Sequence, residues 1–117
     1  MKYLLLIFGD EHAEAQMNEA EQQQMYGEYF AFTEKIEEQG IHRGGEALQP
    51  TSTATTVSVR DGRTITTDGP YVETKEQLGG FYLVETETLD QAIAAAAMIP
   101  GARDGYVEVR PLIEFDD

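Results

Sequence analysis

Cysteine and tryptophan are absent from these 117 residues, and positive charge is scarce: 8 lysines and arginines stand against 22 aspartates and glutamates. Without cysteine there is no disulfide, no thiolate nucleophile and no cysteine-based metal site, which fits a reducing compartment. The formal charge of −14 repels phosphate backbones and anionic membrane surfaces at long range, so we expect neither nucleic acid nor membrane as a partner. The apolar run Tyr3–Phe8 is too short for a membrane span or a signal-peptide core, and Asp10-Glu11 follow it where a cleavage site needs small residues. A cytoplasmic protein is the expectation. With no repeat or low-complexity tract, and with 41% hydrophobic residues, the chain reads as one ordered domain over residues 1–117.

What is present sorts into strands and helices. Tyr3–Phe8 is apolar on both alternating faces, as is Phe81–Val84, so these two strands belong side by side in the middle of a sheet. Asn18 with Glu21 has the layout of a helix cap and capping box, and Met25, Tyr29, Phe32 and Ile36 then form one apolar stripe that Gly40 terminates. Gly9–His12 reads as a polar connection. Thr88 with Gln91 opens a second, alanine-rich helix carrying Leu89, Ile93 and Ala96 on its stripe, and Pro100-Gly101 ends it. Ile41–Leu48 is a weaker strand, broken by Gly44-Gly45. Around Arg60-Asp61-Gly62 a three-residue loop is expected to close a hairpin with Val57 opposite Ile65. The last strand puts Val107, Val109 and Ile113 on one face and Tyr106, Glu108, Arg110 and Leu112 on the other.

This order predicts an α+β fold, a ferredoxin-like sandwich with an inserted β-hairpin. Two helices cover one face of such a sheet. The other face, expected to carry Tyr82, Val84, Tyr106 and Leu112, is too apolar for water, and a homodimer with sheets face to face would cover it and enclose a cleft.

Thr67–Gly80 holds the densest polar cluster: the turn former Asp68-Gly69-Pro70, then Glu73, Lys75 and Glu76, and a closing Gly79-Gly80. Pro70 pushes Gly69 out of the α region, so the corner is stiff, and Asp68 is suited to an Asx-turn. Asp68-Gly69-Pro70-Tyr71-Val72-Glu73-Thr74-Lys75-Glu76, followed by Leu78-Gly79-Gly80-Phe81-Tyr82, resembles the signature of the YCII-related proteins of the DGPF-motif type, with Tyr71 where phenylalanine usually stands. The opening Met1–Ile7, Gly44–Leu48, the alanine-rich helix ending in Pro100, and Val107–Pro111 are similar as well. The resemblance implies a dimeric α+β barrel and, by genomic habit, an extracytoplasmic-function sigma factor as neighbour. The wider superfamily is associated with a His/Asp active-site pair. Neither His12 nor His42 stands in that histidine's context, so the pair is not carried over, and Asp68 is the motif carboxylate that can be placed.

Each candidate site residue also has a plainer role open to it. Asp68 is the acid/base or orienting acceptor, although an Asp before Gly-Pro most often holds a turn. Arg110 is the anion anchor, since a guanidinium offers a fixed donor fork, or it pairs with Glu108. Tyr82 is a hydroxyl donor or a dimer-core aromatic, Glu73 and Lys75 a functional or an exposed salt-linked pair, and His42 a proton shuttle or a surface residue. Asp10, Glu11, His12 and Glu14 lack fixed ligand geometry, so no metal is expected, and no cofactor is implied. Two functions compete: binding, with or without turnover, of a small anionic or polar molecule in the dimer cleft, and a non-catalytic accessory role on a sigma factor. Convergence of Asp68, Tyr82 and Arg110 in one pocket favours the first. A solvent-facing Asp68 favours the second.

Overall fold

The computed structural model describes residues 1–115. Six strands and three helices follow one another as β1 (Lys2–Gly9), α1 (Glu11–Ala15), α2 (Glu19–Glu38), β2 (His42–Ala47), β3 (Thr55–Arg60), β4 (Arg63–Asp68), β5 (Gln77–Glu85), α3 (Leu89–Ala97) and β6 (Tyr106–Pro111). The main sheet has the order β2-β5-β1-β6, antiparallel throughout, and β3 and β4 form a separate two-stranded sheet. This α+β arrangement is compatible with a ferredoxin-like sandwich carrying an inserted hairpin. As their two-sided apolar pattern requires, β1 and β5 occupy the middle.

Both expected capping boxes are formed. Asn18 accepts from the Glu21 amide at 2.8 Å while Glu21 accepts from the Asn18 amide at 3.2 Å, and Thr88 and Gln91 reciprocate at 3.2 and 3.0 Å. At the end of α2, Gly40 is left-handed with φ 74°, and the amides of Gly40 and Ile41 bond back to Glu37 and Ile36. The connection after β1 is more ordered than its polar composition suggests. Asp10 accepts from the amides of His12 and Ala13 and starts the five-residue α1, a helix too short to show a sequence period.

The core lies between the sheet and α2 with α3: Tyr3, Leu5 and Val84 from the strands, Phe32 and Ile36 from α2, Ala92, Ala95 and Ala96 from α3, and Ile99 beyond it. Here two expectations are corrected. Val84 pairs with Tyr3 and Tyr82 with Leu5, so Tyr82 and Val84 face the helices and not the uncovered side. In α3 the alanines face the sheet, while Leu89 and Ile93 are about half exposed; small side chains let the helix lie close, and the larger ones turn outward.

The hairpin register also departs from expectation. Asp61 (φ 51°) and Gly62 (φ 73°) are both left-handed, a two-residue turn of type I′ that pairs Arg60 with Arg63. Val57 therefore faces Thr66, and Ile65 faces Ser58 on the opposite side. Splitting its apolar residues between two faces leaves neither face with enough to bury, and every residue of β4 is exposed. The principal extents of 48 × 48 × 18 Å describe a thin slab with this hairpin projecting from it. Its radius of gyration, 16.3 Å, exceeds the roughly 13 Å of a compact chain of this length.

Candidate functional site

The sheet parity divides the candidate residues. Leu4 pairs with Arg110 and Leu6 with Glu108, so the uncovered face carries Leu4, Leu6, Phe8, Leu78, Phe81 and Leu83, all half-buried, with Glu108 and Arg110 on the β6 edge. Arg110 is where the alternation of β6 puts it. It is ion-paired with Glu108, its neighbour on the same face.

Tyr82 stands on the other side of the sheet. Its hydroxyl lies 3.0 Å from that of Thr33, which itself donates to the Tyr29 carbonyl, so Tyr82 is the donor of the pair. Its ring meets Phe32 edge-on at 5.0 Å and His42 at 6.1 Å. His42 is half-buried on β2, opposite Val84, and so also belongs to the helix side.

Asp68 ends β4 opposite Thr55 and is exposed. Among the described residues no hydrogen bond or ion pair reaches its carboxylate, so the expected Asx-turn is not formed. Backbone does that work instead: the Gly69 amide donates to the Ala54 carbonyl at 2.7 Å, and Thr56 donates its hydroxyl to the Gly69 carbonyl at 2.8 Å. Glu73 and Lys75 are exposed in the irregular return to β5 and form no ion pair among the described residues. Asp68, Tyr82 and Arg110 thus occupy the hairpin, the helix side and the open face, and do not converge within one chain.

A cleft of about 650 Å³ opens instead where the end of β1 meets α1, α2 and the turn after α3. Ile7, Met17, Met25 and Pro100 supply apolar wall, Tyr29 a hydroxyl, and Glu14, Glu21 and Asp104 carboxylates; of the residues expected at the ligand site, Asp68, Glu73, Lys75, Tyr82, Arg110 and His42, Lys75 alone lines it. Its other cation, Arg103, is ion-paired with Glu28. Burial, and after it the neighbouring Glu11 and Asp10, holds the Glu14 carboxyl above its ordinary range. Burial likewise raises the Tyr29 phenol, which accepts from the Gly101 amide at 3.1 Å, so it stays protonated and can donate into the cleft. The sequence contained the signals for this cleft, the acidic stretch from Asp10 to Glu14 and Tyr29 on the helix stripe. What joins them is the turn into α1, which has no long-range sequence signature. No group of three or more histidines, aspartates or glutamates among the described residues is arranged to hold a metal. Among the described residues no helix is long and apolar enough to cross a membrane.

The YCII-related domain model matches residues 1–116, end to end on this architecture. The chain belongs to the YCII-related family. A family relative, an uncharacterized protein of Rhizobium meliloti (strain 1021), is 37% identical over 114 residues, which cover 96% of this chain and 92% of the relative.

Proposed function

We propose that this YCII-related protein is a cytoplasmic homodimer that binds a small anionic or polar molecule, two copies closing their open sheet faces into a barrel with an interior cleft. The observation that carries this reading is the open face: six half-buried apolar side chains on a slab only 18 Å thick, with Arg110 at their edge. A contiguous apolar patch of that kind marks an interaction surface. In such a dimer Arg110 borders the interior, and its guanidinium exchanges Glu108 for a ligand carboxylate or phosphate. Catalysis by Asp68 would need a second polar group beside it, and none is within hydrogen-bonding reach among the described residues, so binding is the reading we adopt.

The test is a thermal-shift panel of malonate, succinate and inorganic phosphate on the wild type and on Arg110→Met. At least one probe should raise the wild-type midpoint and leave the variant's unchanged. No shift from any of the three in the wild type would defeat anion binding. A second reading is favoured by the solvent-facing Asp68 and the charge of −14: an accessory protein docking on a basic partner such as a sigma factor. Salt-sensitive co-purification with a co-expressed extracytoplasmic-function sigma factor would support it.

A further inference from the structure

The hairpin β3–β4 is an arm without a seat on its own chain. Two-stranded hairpins are marginal in water unless a helix or further strands cover them. This one is long for such isolation, its six-residue strands spanning roughly 20 Å. Its base is nevertheless anchored: Thr51, just ahead of β3, donates both its amide and its hydroxyl to the Glu11 carboxylate at 2.8 Å. An anchored base and an uncovered shaft are what an arm reaching for another surface requires.

Charge names that surface. Arg43, Arg103 and Arg110 are each paired with a carboxylate of their own chain, whereas Arg60 and Arg63, cross-strand partners at the arm's tip, form no ion pair among the described residues. Two copies of a chain of net charge −14 repel one another, and cations placed at the contact offset that repulsion. Opposite in sign to the tip is the cleft, where Asp10, Glu14, Glu21 and Asp104 gather and where burial, then the neighbouring Glu11 and Asp10, raises the Glu14 carboxyl.

We infer that the hairpin is a dimer arm: the Arg60/Arg63 tip of each chain docks on the acidic mouth of the cleft in a second copy, so that each cleft is completed by both chains. The inference rests on the homodimer of the preceding section and adds the contact that offsets its self-repulsion. Two-fold symmetry makes the contact twice, arm to cleft and cleft to arm. It also adds two cations to a cleft whose own are Lys75 and the Glu28-paired Arg103.

Absence of cysteine makes the test clean. In Arg63→Cys/Asp104→Cys, mild oxidation should give a covalent dimer on a non-reducing denaturing gel, while neither single variant cross-links comparably. Independently, Arg60→Glu/Arg63→Glu should raise the dimer dissociation constant at least about tenfold at low salt, with the gap shrinking at high salt, and circular dichroism should show the fold retained. A dimeric wild type whose double-cysteine variant closes within one chain or not at all, with an unchanged constant in the charge-reversed protein, overturns the arm and leaves the homodimer standing. A monomeric wild type overturns both. Should the charge-reversed protein misfold, Arg63→Ala and the cysteine pair decide alone.

Discussion

Glu14 and Gly69 show how much depends on the surroundings of one side chain. The Glu14 carboxyl is raised by burial, then by Glu11 and Asp10. A folded-state pKa above the unfolded one means that the native chain holds this proton more tightly, so the group's contribution to stability declines as pH rises through the carboxylate range and stays reduced above it. Glu14→Gln should therefore melt at or above the wild-type temperature at pH 7, with the difference closing as pH falls through that range. Melting curves across pH check this, and a variant less stable at neutral pH would contradict it. Gly69 has φ 97°, outside what a side chain tolerates, and its amide closes the arm's base on Ala54. Gly69→Ala should cost about 1 to 3 kcal/mol in urea unfolding. An unchanged midpoint would mean that the corner relaxes to ordinary angles.

Elements in this fold are joined by a few specific bonds as well as by packing. Tyr29 on α2 reaches the 3₁₀ turn after α3, where its hydroxyl accepts from Gly101 and lies so close that a β-carbon on Gly101 would sit 2.7 Å from it. Tyr29→Phe leaves that amide without its partner. The expected cost is about 1 kcal/mol, with faster hydrogen exchange at the Gly101 amide as the specific readout. Equal exchange in the two proteins would show that water replaces the phenol. The arm illustrates the opposite case, an element whose turn is locally determined by Asp61-Gly62 and whose shaft finds nothing to pack on. Its two-residue turn was legible in the dipeptide itself. The three-residue reading missed it by giving Arg60 to the loop, and one residue of register moved Ile65 to the other face.

For the whole molecule, the decisive feature is a sheet covered once. Leu6 points away from the helices at the centre of the open face, so Leu6→Glu should abolish dimerisation while leaving a folded monomer, read by light scattering and circular dichroism at micromolar concentration. A wild type that scatters as a 13.0 kDa monomer would remove the dimer altogether. By itself the sequence determined the elements and their order, all but the five-residue α1, because caps, helical stripes and strand alternation are local: Asn18 with Glu21, Thr88 with Gln91 and the Gly40 stop stand where their spacing puts them. It also located Arg110 on the open face, since β6 is polar on one side only. Only the tertiary structure decided the parity of β5, whose Phe81, Tyr82, Leu83 and Val84 are apolar on both sides and carry no mark of which side meets the helices. Register against β1 settles that, placing Tyr82 beside Thr33 and away from Arg110. The cleft was hidden for the same kind of reason: Glu14, Tyr29 and Asp104 come from three distant stretches, and their crowding exists only once α1, α2 and the end of β1 are folded against one another.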